Sequence, residues 1–153
     1  MDLRRRANEG TVLAFDFGTR KTGVAVGNTL VRVAHPLTTI VTEAKAARLE
    51  AIAALVTEWK PETLVVGRPV HADGMTHEMT VRAEKFARAL EARFRLPVAR
   101  VDERFSSRAA DAGLRDAGVR GAARKAARDA VAAQVILQAW LDDHAKGDSS
   151  GAA

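Results

Sequence analysis

The chain has 153 residues, 47% hydrophobic and 28% charged, with a formal net charge of +5 and no cysteine. That length allows one domain with its own core, and the absence of cysteine excludes disulfides and thiolate metal sites. No apolar run approaches the roughly 20 residues needed to cross a bilayer, and the opening MDLRRRANEG has no apolar core of the signal-peptide kind. A cytoplasmic protein with no membrane partner is therefore expected. Arginine supplies most of the positive excess, and its planar fork suits phosphate oxygens. With no tyrosine and 5% aromatic residues, contact with a nucleic-acid backbone or shape fits better than a base-stacking sheet.

Residues 1–10 read as a flexible basic arm, 11–144 as a single domain and 145–153 as a disordered tail. Strands are predicted over 11–17, 21–27 and 31–41. The first is apolar on both faces, as a central covered strand should be. The third contains Pro36, which points to an edge strand or a bulge. A helix follows over about 43–60, with Ala47, Ala51, Ala54 and Leu55 as its apolar stripe and Pro61 as its stop. Thr63 to Val66 is a short buried strand, ended by the turn signal Gly67-Arg68-Pro69. Beyond the loop HADGM, where Asp73-Gly74 reads as a turn, a helix is predicted over 75–95 on the spacing of Met79, Ala83, Phe86, Leu90 and Phe94. Val98 to Asp102 is the next strand, and Ser106 or Ser107 can cap a short helix reaching 117. A basic linker, GVRGAARKAAR, leads to a last helix over 125–143. Three strands followed by alternating helices and strands argue for an α/β domain with a mixed sheet.

Three acids stand out against this pattern. Asp16 lies near the C-terminal end of the first strand, on the face shared by Val12 and Ala14. Glu103 follows the last strand on the face of Ala99 and Val101, while Arg100 and Asp102 share the other. Asp129 lies near the start of the last helix, on the same face as Ala133, Ile136 and Trp140 and opposite Gln134, Gln138 and Asp142. Parallel strands joined by helical crossovers put their C-terminal ends on one edge, where α/β sites gather. Each acid has a simpler reading: an Asx turn for Asp16, a pair with Arg104 or Arg100 for Glu103, a cap or dipole partner for Asp129. All three are nonetheless placed towards buried faces, where an isolated carboxylate is costly. Three converging carboxylates suit hard cations such as Mg²⁺ or Mn²⁺. Two such ions can activate a water and stabilise the leaving oxygen of a phosphodiester.

Four segments, FDFGTRKTGVAVGN, VVGRPVHADG, VDERFSS and RDAVAAQVILQAWLDD, occur in this order over residues 13–143. In them the chain resembles the YqgF family, also called RuvX, of small bacterial nucleases. The resemblance implies an RNase H-like fold with a mixed five-stranded sheet flanked by helices. It also implies a divalent-metal nuclease with Asp16, Glu103 and Asp129 as catalytic, metal-binding carboxylates. The family's association is with processing of the pre-16S rRNA end, and fold kinship adds Holliday-junction resolution. Two departures add positive charge: Arg68 stands in a turn where the family has an apolar residue, and Arg128 precedes the last aspartate. Arg20, Lys21, Arg68 or Arg104 could steady phosphate charge, and Arg115, Arg120, Arg124, Lys125 and Arg128 form a backbone-binding patch or a solvated surface. Partners are then structured RNA or branched DNA, with the protein a monomer or a homodimer.

Two other classes compete. The hairpin D-x-G-x-x-x-x-G from Asp16 to Gly23 is shared with actin-like ATPases, which need two such lobes where this chain has room for one. Val24-Ala25 after Gly23 excludes a P-loop. The other rival is a non-catalytic nucleic-acid-binding or ribosome-assembly module, for which three such acids have no physical need. The four histidines show no zinc spacing.

Overall fold

A computed structural model of the chain describes residues 10–68, 77–102 and 121–151, the helical residues 77, 121–127 and 145–151 by backbone only. The sheet grows outward from β1 (Thr11–Asp16), in which Val12, Leu13, Ala14 and Phe15 are all buried. A strand covered on both sides must pair on both edges to satisfy its backbone. β2 (Lys21–Asn28) flanks it antiparallel on one edge and β4 (Thr63–Arg68) parallel on the other. β3 (Ala34–Val41) extends the β2 edge antiparallel, and β5 (Val98–Asp102) extends the β4 edge parallel. The order is β3-β2-β1-β4-β5, the mixed five-stranded sheet expected.

Alternation along β1 divides the core in two. Leu13 and Phe15 face a layer made by α1 (Lys45–Trp59) and α2 (His77–Phe94). Val12 and Ala14 face α3 (Gly121–Gly151), with Ala133, Ile136, Leu137 and Leu141 packed on them. Each large apolar side chain buried this way contributes about 1.5–3 kcal/mol. Phe86 of α2 sits edge-on to Phe15, with centroids 5.9 Å apart, and stacks on Phe17 at 4.9 Å. Among the described residues, no helix is long and apolar enough to cross a membrane.

The departures from expectation have local causes. β3 begins at Ala34 rather than at 31, because the Asn28 side-chain oxygen accepts hydrogen bonds from the Leu30 and Val31 amides at 2.7 and 3.2 Å. This Asx-type turn bends the chain before pairing resumes. Pro36 lies on the outer strand beside a register shift between Val24 and Ala25, so the edge and the bulge both occur. β4 continues past Val66 to Arg68 because Gly67 and Arg68 still pair with β5.

In α1 the expected stripe is rotated. Ile52 and Arg48 are buried, Leu49, Ala51, Leu55, Val56 and Trp59 pack against the core, and Ala47 and Ala54 are exposed. Alanines bury little area, so the larger side chains set the rotation. The helix ends as Pro61 dictates, with Lys60 left-handed at φ 47° and its amide bonded to the Val56 carbonyl. α3 begins at Gly121, inside the expected basic linker, and extends to Gly151. The alanines, arginines and lysine of 121–128 are strong helix formers. The short helix expected over 106–117, the HADGM loop with Asp73-Gly74, and the remainder of the basic linker lie outside the described residues, as do the arm residues 1–9.

Arg100 pins β5 to α2. Its guanidinium reaches both carboxylate oxygens of Glu84 at 2.8 and 3.1 Å, both of Glu91 at 3.1 Å, and the Val98 carbonyl at 2.7 Å. Hydrogen bonds from Arg100 hold the Glu84 and Glu91 carboxyls below the usual carboxylate range, and the two acids push the guanidinium up. Carboxyls depressed in the folded state stabilise it above their ordinary value of about 4.5. That contribution is lost as pH falls through the depressed values. In urea unfolding followed from pH 6 down to pH 3, Arg100→Met is expected to be less stable than wild type at pH 6. It is also expected to lose less further stability on acidification, so that the two curves converge.

Candidate active site

Asp16 is the last residue of β1, and its register partner is Gly23 of β2. It continues the Val12–Ala14 face, so its side chain stands on the α3 side of the sheet, half-buried. Gly23 in turn carries the backbone of α3. A Cβ placed on Gly23 would run into the carbonyl of Asp129, with the Ala130 nitrogen at 2.9 Å. Four residues along β2, a Cβ on Gly27 would meet Leu137 Cδ2 at 3.0 Å and Leu141 Cδ1 at 3.1 Å. Ala25 lies between them in the same core cluster. The small track Gly23–Ala25–Gly27 therefore lets a helix backbone lie directly on the strand. Eight helical residues from Asp129 to Leu137 rise about 12 Å, and four strand residues about 13 Å, so α3 runs along β2. Its Asp129 segment is thereby set at the edge where β1 ends.

Asp16 pairs with Gly23 and the backbone of Asp129 rests on that same glycine; both acids are half-buried. The expectation that Asp129 sits one turn from the helix start is corrected: Gly121 begins the helix, eight residues earlier. A cap or dipole role does not apply at that depth, since both act within the first turn. Glu103 and Arg104 lie outside the described residues. Arg100, one simple partner considered for Glu103, is engaged by Glu84 and Glu91 on the opposite face of β5. Ala99 and Val101 pack towards α3, as the alternation predicts. Among the described residues no set of three or more acids, histidines or cysteines is grouped as a metal site. Asp16 and Asp129 carry hard anionic oxygen donors of the kind Mg²⁺ and Mn²⁺ take.

The turn after Asp16 is braced from the other face. Arg48 is 5% exposed. Its Nη2 donates to the carbonyls of Thr19 at 2.8 Å and Thr42 at 3.0 Å, and its guanidinium lies 5.1 Å from the Phe17 ring centre. Burial lowers its pKa, and its Nε is buried with no hydrogen-bond partner. The Thr42 amide donates to the Arg20 carbonyl at 2.9 Å, and the buried Thr22 hydroxyl lies 3.4 Å from the Gly18 carbonyl. Sequence reasoning missed Arg48. The available signal was an arginine between the apolar residues Leu49, Ile52 and Val56, on the face that packs.

The predicted phosphate-binding residues divide. Lys21 is exposed at the start of β2. Arg20 is exposed and pairs with Glu43 at 3.1 Å. Arg68 pairs with Asp102 at 3.2 Å across the ends of β4 and β5, both side chains about half exposed. Surface pairs of this kind hold little energy and can open to a phosphate. Arg128 is exposed on α3, immediately before Asp129. Arg124 and Lys125 lie on the first turns of α3, and Arg115 and Arg120 lie outside the described residues. Gln134 and Gln138, expected to face away from the sheet, are corrected. Gln134 Nε2 donates to the Ala34 carbonyl at 3.0 Å, and Gln138 binds the Ala34 amide and the Arg32 carbonyl, each at 3.0 Å. They strap α3 to the outer strand, because a helix lying on β2 turns its flank to β3.

The sheet order and its flanking helices define an RNase H-like domain. The profile of the RuvX family, described as Holliday junction resolvase, matches residues 10–143. The chain belongs to that family. It is 55% identical over 133 residues to a protein of Dechloromonas aromatica strain RCB, covering 87% of this chain and 91% of that one. It is 51% identical over 136 residues to a protein of Burkholderia lata, covering 89% and 91%. Both carry the name of a candidate pre-16S rRNA nuclease. Among solved structures, Thermus thermophilus RuvC in complex with a Holliday junction substrate superposes with a TM-score of 0.55 at 16% identity. It covers 88% of this chain and 94% of RuvC. A second Thermus thermophilus RuvC structure gives 0.53, also at 16%.

The close seat of α3 has a direct consequence. Gly23→Ala is expected to destabilise the fold by about 1–3 kcal/mol in urea unfolding, since the added methyl meets the α3 backbone at Asp129 and Ala130. Gly27→Ala is expected to cost less, because the two leucine tips it meets can move and the Val33 carbonyl is 3.2 Å away, a milder contact than the one at Gly23.

Proposed function

We propose that this chain is a divalent-metal-dependent nuclease that hydrolyses phosphodiester bonds in the maturation of the 5′ end of pre-16S rRNA. The observation that carries the proposal is that Gly23, the register partner of Asp16, also seats the backbone of Asp129 at the C-terminal end of the central strand. The names of its relatives support the substrate. Asp16, Asp129 and Glu103 would hold Mg²⁺ or Mn²⁺, two ions in the full site. Bound there, the ions supply activation of a water and charge stabilisation at the leaving oxygen.

The remaining work falls to the chain's own residues. Asp16 and Asp129, held on rigid strand and helix, keep their positions without reorganising. Arg20 and Lys21 flank the braced turn and bind the strand backbone by charge. Arg68, released from Asp102, adds donors at the end of β4, and Arg104 would add another. Arg128, exposed on α3, adds positive charge beside Asp129, and Arg124 and Lys125 precede it on the same helix. The cytoplasm, where precursor rRNA is found, is the matching location.

A second reading, cleavage of branched DNA at a Holliday junction, is favoured by the description of the family and by the superposition on RuvC. It calls for two active sites related by a two-fold axis, whereas end trimming needs one and works in a monomer.

Cleavage assays with Mn²⁺ or Mg²⁺ separate these readings. The substrates are a pre-16S 5′ leader, single-stranded RNA and DNA, and a four-way DNA junction. Wild type is expected to cut the rRNA leader. Asp16→Asn and Asp129→Asn are each expected to lower the rate at least 100-fold while unfolding at the wild-type urea midpoint or above it. Preference for the junction, with a dimer in solution, would support the second reading. Tight binding without cleavage of any substrate would leave a binding module.

A further inference from the structure

On the sheet face opposite Asp16, between α1 and α2, lies a cavity of about 480 Å³. This is within the size range of small-molecule sites. Its apolar part is made by Phe17, Phe86, Leu49 and Ala89, with the two phenylalanine rings stacked on each other. Four cations line it, Lys45, Arg48, Arg82 and Lys85, against one acid, Glu43. The acid is already matched by Arg20, and Arg82 by Glu78. Lys45 and Lys85 are exposed and have no ion pair among the described residues. They stand on different helices, α1 and α2, on either side of the opening. Arg48 and Thr19 belong both to this cavity and to the braced turn after Asp16.

An apolar interior selects a flat, weakly hydrated group, and the cationic lining selects an anion attached to it. We infer that this cavity is a binding site for a nucleoside phosphate, with the base against Phe86, Leu49 and Ala89 and the phosphate between Lys45 and Lys85. Burial of a flat base against these apolar side chains is non-directional and tolerates any base. A duplex cannot place a base in such a cavity without unpairing it, so the nucleotide is either free in solution or unpaired in a strand. The strand-borne form rests on the nuclease reading, and the free form does not. In both, occupancy is felt at the Asp16 turn through Arg48, which holds the Thr19 carbonyl.

The test uses the intact chain in EDTA, where no cleavage occurs. Adenosine, guanosine and uridine 5′-monophosphates and inorganic phosphate are titrated by calorimetry. A short single-stranded RNA is titrated with and without one abasic position. The variants are Lys45→Glu with Lys85→Glu, and Ala89→Trp to fill the cavity, each checked for an unchanged Tm. For a free ligand, a nucleoside monophosphate is expected to bind at least tenfold more tightly than phosphate. Both variants are expected to weaken it at least tenfold. For a strand-borne ligand, the RNA is expected to bind at least tenfold more tightly than its abasic form, and both variants to remove that difference. The inference is overturned if neither difference is seen. It is also overturned if the charge reversal weakens phosphate, nucleotides and both RNAs alike while Ala89→Trp changes nothing, since that pattern is surface attraction alone. Cleavage by wild type is measured separately, so a protein that cuts without using the cavity, or binds without cutting, is told apart.

Discussion

The site depends on a single steric allowance: β2 has no side chain at Gly23, and the backbone of α3 occupies that space. Asp16 is fixed by strand pairing and Asp129 by the seat of the helix, and the two positions are connected through that one residue. A side chain there would lift α3 off the sheet and separate the acids. The same helix is held further along by Leu137 and Leu141 over Gly27, and sideways by Gln134 and Gln138 on β3. Two carboxylates placed by rigid elements are a better cation site than two placed by loops, because little ordering is left to be done on binding.

The opposite face supports the site mechanically. Arg48 ties the turn after Asp16 to α1 through the carbonyls of Thr19 and Thr42. A nearly buried guanidinium is costly unless its donors find acceptors, and turn carbonyls need donors when strands do not supply them. Each solves the other's problem, although the Nε of Arg48 remains without a partner. Arg100 does comparable work at the far edge, joining β5 to α2 through Glu84 and Glu91. Its engagement leaves the α3 side of β5 to Ala99 and Val101. The two arginines thus explain how a basic chain keeps part of its charge structural while Lys21, Arg20 and Arg128 remain on the surface.

Much of this was legible in the residues. Continuous hydrophobicity over Val12 to Phe15 marked the central strand, Pro36 marked the edge, and alternation along Val98 to Asp102 sorted Arg100 from Ala99 and Val101. The face of Asp129 followed from its spacing to Ala133 and Ile136. What was not legible depends on contacts distant in sequence. The rotation of α1 is set by what Ile52 meets in the core, and an alanine-rich period does not reveal it. Gln134 and Gln138 read as solvent-facing until β3 is seen beside the helix. The start of α3 was hidden because its cations read equally as a solvated linker and as a helix surface. The role of Gly23 was hidden most deeply. Its glycine fits any hairpin, and only the position of α3 shows why a methyl does not fit.

The central claim, that Asp16 and Asp129 form one cation site, is tested most directly by Mn²⁺ titration under electron paramagnetic resonance, which needs no substrate. Wild type is expected to take up Mn²⁺ and quench the signal of the free ion. Asp16→Asn and Asp129→Asn, folded by circular dichroism, are each expected to weaken that uptake at least tenfold, and the double variant little further. Uptake equal to wild type in either single variant would contradict the account.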